Sequence, residues 1–387
     1  MSQPSLAHGL SKTDVTADWP GFTEEELKTL LNRYHPAWHV KQRLWRSPRP
    51  FSVAELVETS HGVLFIKRHH RRIRDAEGLR EEHRFIRHLA EQGLPVPEIY
   101  HDRQGNSTPV TGEWTWEIHR AVLSGDRYRD VRSWEPFLSE QDAAAAGAMQ
   151  ARFHLAAEDY AAGGRLPQPL VANMTVLASR DPVATMHLWL VRHPDVAEWL
   201  ADRNWQQVIT EQLLPRQQRI QPQLSRQPPL WTHNDWHSSN LLWGAPDSPG
   251  GSCVSGIIDF GLSDLTCAIF DIATAAERNF IPWLELADGA SVRADLRQLD
   301  AFLNGYHQVR PLTPADLHLL AEILPLIHWD FALSELHYFC SIVPAPQMAD
   351  LCWEGYLIGH FRWFSEPQGR ELLAFIHTWT PQENRPS

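Results

Sequence analysis

One segment of the chain, residues 231–271, constrains the fold more than any other. It carries two polar motifs, THNDWHSSN and DFG, and each of them abuts a short apolar run. Glycine, proline, aspartate and serine fill the stretch between the two runs, which is typical of a turn. The segment therefore predicts a β-hairpin that brings Asn240 close to Asp259, although the two residues are distant in sequence.

The residue types of these motifs fit phosphoryl transfer from a nucleotide. Mg²⁺ prefers oxygen ligands, and one amide and one carboxylate suffice when the nucleotide phosphates complete its coordination shell. A second carboxylate is needed near the acceptor hydroxyl, where it orients the hydroxyl and accepts its proton. We therefore predict that Asn240 and Asp259 bind Mg²⁺ and that Asp235 is the catalytic base.

Periodicity divides the chain into a strand-rich first third and a helical remainder. The predicted elements of the first third are a helix at 23–34, two strands within 51–67, a helix at 79–92, a strand in the extended segment at 94–100 and a strand at 114–120. The remainder has an alanine-rich helix at 143–159 and a long helical stretch at 195–224, which Pro215 is expected to break. The fold class is α+β, with a disordered lead-in at 1–20, a small antiparallel-sheet N-lobe at 21–118 and a large helical C-lobe at 119–387.

Composition narrows the class of protein. The formal net charge is −12, which disfavours binding to nucleic acid or anionic lipid, because both need a basic surface. No apolar run approaches the roughly 20 residues of a membrane span, and the polar N-terminus lacks the apolar core of a signal peptide. The four cysteines form no CxxC pair, which is typical of reduced thiols. We therefore expect a cytoplasmic protein without a nucleic-acid or membrane partner.

The two motifs together resemble those of the aminoglycoside phosphotransferase and choline kinase branch of the protein-kinase-like fold. The residues that match the family's pattern are His233, Asp235, His237, Asn240 and Asp259. The resemblance implies a two-lobed kinase that binds ATP and Mg²⁺ and phosphorylates a hydroxyl of a small, amino-bearing acceptor. It places the nucleotide in the N-lobe, and the catalytic loop and the acceptor in the C-lobe. It also implies that His233 supports the loop and that Asp271 braces it.

The same resemblance implies a lysine and a glutamate that form an ion pair in the N-lobe. Lys67 ends the apolar run VLFIK, where the family has a lysine that holds the nucleotide phosphates. Glu82 lies in the following helix at the register of the family's glutamate, and Glu81 is the alternative. We therefore expect Lys67 to pair with Glu82.

Two stretches depart from the family's pattern. The phosphate-covering loop, expected near residues 43–56, contains no glycine, so Arg46, Ser47, Arg49 or Ser52 would have to contact phosphate through side chains. After DFG the chain has Thr-Cys-Ala at 266–268, where many members have Gly-Asp-Pro. Homoserine and hydroxylysine kinases can also lack that tripeptide, and the C-terminal stretch resembles homoserine kinases. An aminoglycoside is therefore not indicated as the acceptor.

Three other functions remain open at this point. A protein kinase would need a lysine where His237 stands and a long activation segment after DFG. A catalytically inactive nucleotide-binding or interaction protein would explain the missing glycines. A metallohydrolase could use His233, Asp235 and His237 as zinc ligands. Acidic residues that could bind a cationic acceptor, or simply lie on the surface, are Glu158, Asp159, Asp264, Glu277, Asp330 and Glu335.

Overall fold

The computed structural model describes most of the chain. The described residues are 18–47, 50–122, 125–129, 131, 134–244, 253–287 and 291–382. Residues 1–17 of the predicted lead-in, and Arg49 of the predicted phosphate-covering loop, lie outside them. Within the described part of the chain, no helix has both the length and the apolar character needed to cross a bilayer.

Strands and helices alternate early in the chain, and helices dominate later. The strands are β1 (Val40–Arg46), β2 (Val53–Thr59), β3 (Gly62–His70), β4 (Val110–Thr111), β5 (Trp114–Arg120), β6 (Leu230–Thr232), β7 (Leu241–Trp243), β8 (Val254–Ile257) and β9 (Asp264–Thr266). The helices are α1 (Glu24–Tyr34), α2 (Ala76–Glu91), α3 (Glu140–Ala157), α4 (Pro182–Arg192), α5 (Pro194–Leu200), α6 (Trp205–Val208), α7 (Leu214–Leu224), α8 (Ala268–Phe280), α9 (Trp283–Ala287), α10 (Leu296–Val309), α11 (Pro314–Ile323), α12 (Trp329–His337), α13 (Pro346–Asp350), α14 (His360–Trp363) and α15 (Pro367–Thr378).

The chain forms two compact units, and each unit is assembled from separate stretches. The first unit comprises Met1–Ser133, Arg165–Gln168 and Ser239–Phe260. The second unit comprises Trp134–Gly164, Pro169–Ser238 and Gly261–Ser387. These stretches do not coincide with the predicted lobes at 21–118 and 119–387, whose division of nucleotide and acceptor binding stays a prediction.

The first unit is built on an antiparallel sheet with strand order β1-β2-β3-β5-β4. Helix α1 packs on this sheet through a buried apolar cluster that includes Leu27, Leu31, Val57, Ile66 and Trp116. The N-terminus of α1 is fixed by a capping box between Thr23 and Glu26, as the Thr cap and acidic first turn predict.

Two features of the sheet differ from the expectation. Residues 94–100 form no strand and pair with β5 only through a bridge between Ile99 and His119. Pro95 and Pro97 explain this, because proline has no N–H to donate to a ladder. Strand β1 has no counterpart among the predicted strands, because it lies at the sheet edge with mostly exposed side chains on both faces and does not alternate.

The predicted helical break in the second unit lies elsewhere in the structure. Residues 205–224 form a continuous helical stretch, in which a π-helical turn, Ile209–Leu213, joins α6 to α7. This wider turn precedes Pro215 and accommodates its missing N–H, so Pro215 does not end the helix. The break comes before the stretch, where Asn204 adopts a left-handed φ of 47°.

Helices α3 and α10 approach each other closely in the second unit at two glycines. A Cβ atom at Gly147 would overlap the backbone oxygen of Phe302, and one at Gly305 would overlap the backbone oxygen of Ala144. Backbone cannot move aside as a side chain can, so each position requires a residue without a Cβ atom. The short distance between α3 and α10 matters for the candidate site, because α3 also carries Gln150 and His154. Both of these side chains contact Asp271 on α8.

We expect Gly305→Ala to lower the free energy of unfolding by about 1–3 kcal/mol, the usual cost of overpacking a core. Urea denaturation followed by circular dichroism measures the change. Gly163→Ala is the matched control, because a Cβ atom at Gly163 would meet no atom within 4 Å. Equal stabilities of the two variants would contradict the proposed helix contact.

Candidate active site

The predicted lysine and the DFG aspartate lie side by side in the first unit. Lys67 Nζ on β3 donates a hydrogen bond of 3.0 Å to Oδ1 of Asp259, which follows β8. Burial opposes the charge on Lys67, but the carboxylates of Asp259 and Glu117 outweigh it, so the pKa of the ammonium is raised. Lys67 is therefore charged at neutral pH, which is the form that binds phosphate.

The predicted hairpin is present and carries both predicted metal ligands. Strand β7 pairs antiparallel with β8, and the Ile258 N–H donates a 3.0 Å hydrogen bond to the carbonyl of Asn240. Asn240 and Asp259 thus stand at the same end of the hairpin. Asp259 has a φ of 62°, in the left-handed region where a residue with a side chain is strained. Such strain is typical of functional positions.

A cavity in the first unit is lined by both members of the ion pair and by Asn240. Its empty space is about 1220 Å³, including the open mouth. Apolar side chains form much of the wall, among them Leu56, Phe65, Ile86, Leu242 and Ile258. An apolar wall with a few polar groups at one end is the usual form of a small-molecule site.

The predicted pair between Lys67 and Glu82 is not formed. Glu82 Oε1 accepts hydrogen bonds of 2.7 Å from Nε of Arg74 and from a terminal nitrogen of Arg165. Burial opposes ionisation of Glu82, but Arg165 and Arg74 outweigh it and lower its pKa. Among the described residues, Asp259 is the only one whose carboxylate lies within 4.0 Å of the Lys67 ammonium. Glu82 lines the same cavity, so its role in nucleotide binding stays a prediction.

Glu82→Ala is expected to destabilise the protein by about 3–5 kcal/mol, because it leaves two buried guanidinium groups without their shared carboxylate. The readout is the urea midpoint and its slope. Glu77→Ala is the control on the same helix, because Glu77 forms exposed ion pairs with Arg80 and Arg84, and exposed pairs contribute only about 0–1 kcal/mol. A loss no larger than that of the control would argue against a structural role for Glu82.

A carboxylate that the sequence analysis did not single out, Glu117, lies beside Lys67. Glu117 on β5 is the direct register partner of Lys67 on β3. Its two oxygens bind Nε2 of His69 at 3.0 Å, of His83 at 2.9 Å and of His119 at 2.8 Å. Burial opposes its ionisation, but His119 and the other imidazoles outweigh it and hold its pKa well below the usual value. A carboxylate between the apolar residues Trp116 and Ile118 of this strand is the signal that could have identified it.

Of the residues expected to replace the phosphate-covering glycines, Ser47 lines the cavity. Its backbone N–H donates a 2.8 Å hydrogen bond to the carbonyl of Ala54. That amide is therefore engaged within the sheet. The role of Ser47 stays a prediction.

The predicted catalytic loop belongs to the second unit up to Ser238, and Asp235 is buried and paired there. Arg278 on α8 forms an ion pair with Asp235 Oδ1, and His237 Nε2 lies 3.5 Å from the same oxygen. The Arg278 guanidinium stands over the rings of Trp134 and Phe331, which fix its position. Arg278 is separated from the motif in sequence, and nothing in the sequence pattern points to it.

The loop that carries Asp235 is fixed by its neighbours on both sides. Asn234 has a left-handed φ of 59°, and its N–H donates a 2.7 Å hydrogen bond to Asp271 Oδ1. Asp271 Oδ2 accepts from His154 Nε2 at 2.9 Å and from Gln150 Nε2 at 3.0 Å. The prediction that Asp271 braces the loop is confirmed.

Aromatic packing and a second α8 side chain hold the rest of the loop. His233 is buried and packs edge-on against the rings of Phe153 and Trp236. Asn279 receives a hydrogen bond from the Ser238 N–H at 3.0 Å and donates one to the Trp236 carbonyl at 2.8 Å. These contacts support a structural role for His233.

The acidic residues considered for a cationic acceptor divide into two groups. Glu158 and Asp159 are exposed, and Glu158 pairs with Arg310 at 3.2 Å. The other four are buried, which corrects the expectation of surface charges: Asp264, Glu277, Asp330 and Glu335. Buried carboxylates need partners or a ligand, and Asp264 has a partner in the Leu265 N–H, which donates a 2.7 Å hydrogen bond to its Oδ1.

Comparison with known proteins agrees with this geometry. A family model described as the phosphotransferase enzyme family matches residues 52–312, two thirds of the chain. The chain belongs to the phosphotransferase enzyme family. A homoserine kinase from Janthinobacterium sp. (strain Marseille) is 28% identical to this chain over 261 residues. The matched residues cover 66% of this chain and 68% of that enzyme.

Two solved structures share the fold of the phosphotransferase at low identity. An amicoumacin kinase in complex with AMP-PNP, Ca²⁺ and Ami is 16% identical with a TM-score of 0.53, covering 92% of this chain and 94% of that one. A microcompartment-associated aminopropanol kinase is 15% identical with a TM-score of 0.51, covering 91% and 98%. These likenesses confirm the α+β, protein-kinase-like fold.

Family membership establishes the class of reaction. The phosphotransferase is an ATP-dependent kinase that transfers phosphate to an alcohol group of a small molecule. This decides against the protein-kinase and metallohydrolase alternatives. In the described part of the chain, the groups of three or more converging metal donors do not include His233, Asp235 or His237.

Proposed function

We propose that the phosphotransferase transfers the γ-phosphate of MgATP to the hydroxyl of a small amino alcohol, with homoserine as the first candidate. The observation that carries the nucleotide half of the proposal is the hydrogen bond between Lys67 and Asp259 at one end of an apolar-walled cavity. A charged lysine beside an aspartate supplies one group for phosphate and one for the metal ion.

The residues present fit a magnesium ion. Asn240 and Asp259 offer an amide oxygen and a carboxylate oxygen at the same end of the hairpin, and both line the cavity. This hard-oxygen donor set is the one that Mg²⁺ takes when nucleotide phosphates supply further ligands. When bound, the ion would neutralise charge on the transferred phosphoryl group. Because ATP is the phosphate donor, we place the reaction in the cytoplasm.

In this proposal Asp235 orients the acceptor hydroxyl and accepts its proton. It stands two residues after His233, in a loop fixed by Asn234 and Asn279. In the chain, Asp235 precedes the metal ligand Asn240 by five positions. Arg278 holds the carboxylate of Asp235 in place until the acceptor arrives. His237 lies close enough to Asp235 to limit its rotation.

Homoserine is proposed from the relatives and from Arg278. The curated relatives that cover two thirds of the chain are homoserine kinases. An arginine beside the catalytic base is suited to a carboxylate group on the acceptor, because a guanidinium binds carboxylates with paired N–H groups. An amino alcohol without a carboxylate would offer no partner for the Arg278 guanidinium on the acceptor.

An ADP-release assay with MgATP tests the proposal. The acceptors to compare are homoserine, 1-amino-2-propanol, choline and an aminoglycoside, each with wild-type protein and with Lys67→Ala. We expect turnover above the ATP-only background with homoserine, the largest rate in the set, and its loss in Lys67→Ala. A higher rate with 1-amino-2-propanol would overturn homoserine as the acceptor, and no turnover with any acceptor would count against the proposed acceptor class.

A further inference from the structure

We propose that Glu277, His328 and His360 form a second metal site, specific for a transition ion such as Zn²⁺ and separate from the nucleotide's magnesium site. The three side chains come from α8, from the residue preceding α12 and from the start of α14. Their donor atoms all lie within 4.8 Å of one another, and they are only 3%, 6% and 7% exposed. All three belong to the second unit.

Two of the donor atoms lack a hydrogen-bond partner in the described structure. Glu277 Oε1 and His360 Nδ1 are both buried and lie 3.3 Å apart, but they form no aligned hydrogen bond with each other or with another group. His328 Nδ1 lies 3.5 Å from the same Glu277 oxygen. Buried polar atoms are nearly always satisfied, so two buried atoms without an aligned hydrogen bond favour a ligand at this cluster.

The surroundings of the imidazoles also fit a metal site. His328 Nε2 lies 3.3 Å from Oε2 of Glu335, so the nitrogen that faces away from the cluster has a carboxylate partner. Nε2 therefore faces Glu335 and Nδ1 faces Glu277 and the cluster, and an outer carboxylate of this kind is common at metal-binding histidines. The His360 ring is stacked on Trp283, with centroids 3.7 Å apart and planes at 9°. Both rings are therefore held in orientation before a metal ion binds.

The donor types point to zinc rather than magnesium. Glu277 Oε1 lies 3.3 Å from His360 Nδ1 and 3.5 Å from His328 Nδ1, so one carboxylate oxygen faces two imidazole nitrogens. One carboxylate with two imidazoles is a zinc donor set, with a fourth position left for water. Magnesium prefers an all-oxygen shell.

The histidine-rich cluster around Glu117 provides a contrast. There, each of the three imidazoles directs Nε2 at a Glu117 oxygen within hydrogen-bond distance. His83 uses its other nitrogen to bind Ser107 at 2.8 Å. Because these contacts already satisfy the groups, we assign no metal ion to that cluster.

A rival arrangement is an ion triad, in which protonated His328 bridges Glu277 and Glu335 and no metal ion binds. Burial opposes a charge on His328, but the two carboxylates outweigh it and raise its pKa to about 9. A zinc ion has to displace that proton. The two arrangements differ in a measurable way, because only one of them retains metal after dialysis.

The test uses the full chain, dialysed first against chelator and then against Zn²⁺ or Co²⁺ in the presence of excess Mg²⁺. We expect one equivalent of Zn²⁺ per chain by elemental analysis, and a visible Co²⁺ spectrum typical of four-coordinate nitrogen and oxygen ligands. No stoichiometric binding by the wild-type protein would overturn the proposal, whatever the variants do.

Single substitutions identify the side chains that bind the zinc ion. His360→Gln and Glu277→Gln should each lower the Zn²⁺ affinity at least about tenfold, and Glu335→Gln by about 10–100-fold. His318→Ala is the control for adventitious binding, because the exposed His318 lies beside His377 with ring centroids 5.2 Å apart. His83→Asn is the control for the Glu117 cluster. Loss of zinc in either control, with retention in His360→Gln, would overturn the assignment.

Discussion

Asp235→Asn is expected to lower kcat by about 10²–10⁴-fold, the contribution of a general base, while ATP binding stays close to that of the wild type. An asparagine oxygen can still accept from Arg278, so the loop should keep its position. What the amide lacks is the capacity to take up the acceptor's proton. The readouts are ADP release with saturating acceptor and the dissociation constant of MgATP.

Asp264→Asn is the matched control for this prediction. Asp264 is a second buried aspartate of the same unit, and its Oδ1 accepts a hydrogen bond of 2.7 Å from the Leu265 N–H. An asparagine oxygen can accept the same bond, so turnover should stay within a few-fold of the wild type. Asp235→Asn with nearly wild-type turnover would remove Asp235 from the role of base. Equal losses in both variants would indicate a general disturbance of the fold.

Asp259→Asn should lower kcat/KM for MgATP by about 10²–10³-fold, since a metal-bound carboxylate contributes several kcal/mol and each tenfold corresponds to about 1.4 kcal/mol. The substitution suits this position, because asparagine tolerates the left-handed φ of 62° found at Asp259. It removes the charge that faces Lys67 and weakens the oxygen ligand for Mg²⁺. Binding of ATP without metal should change much less than binding of MgATP.

Isothermal titration calorimetry with ATP, in the presence and in the absence of Mg²⁺, separates an effect on metal binding from an effect on binding of the nucleotide itself. Asp126→Asn is the control, because Asp126 also lines the cavity but forms a partly exposed ion pair with Arg129 at 3.0 Å. We expect that variant to keep the Mg²⁺ dependence of the wild type. If Asp259→Asn keeps it as well, Asp259 does not hold the metal ion.

The contacts that could be predicted from the sequence are those encoded by short motifs. The spacing of HNDWHSSN and DFG, with a turn between them, was enough to predict the hairpin that carries Asn240 and Asp259. Helix α1 could be predicted equally well, because its N-terminal cap and its apolar periodicity lie within one short stretch of sequence. In each case the physical signal is local, so no knowledge of the tertiary structure is needed.

Partners that come from distant parts of the chain could not be predicted. Glu82 is held by Arg165, which joins the first unit as part of a four-residue stretch, so the expected lysine–glutamate pair was wrong for this structure. Arg278 reaches Asp235 from the last turn of α8, with no motif around it. Ion pairs of this kind depend on tertiary packing and leave no periodic pattern in the sequence.

A strand at the sheet edge and a distortion within a helix account for the other differences between the predicted and the observed elements. Strand β1 shows no alternation because exposed side chains occupy both of its faces. The sequence predicts that Pro215 breaks the helix. The π-helical turn before it accommodates a residue without an N–H, so the helix continues. The break lies instead at Asn204, whose left-handed φ of 47° leaves no mark in the sequence pattern.

The discontinuous first unit has a consequence for biosynthesis. A nascent chain that has emerged up to residue 133 contains Lys67 but neither Asn240 nor Asp259, which belong to the stretch Ser239–Phe260. At roughly 5–20 residues per second, the ribosome needs on the order of ten seconds more to deliver that hairpin. During this interval the first unit lacks strands β7 and β8, and the proposed nucleotide site is incomplete. Chaperones that bind exposed apolar surface would therefore act on this enzyme mainly after β5 has left the ribosome and before β8 has left it.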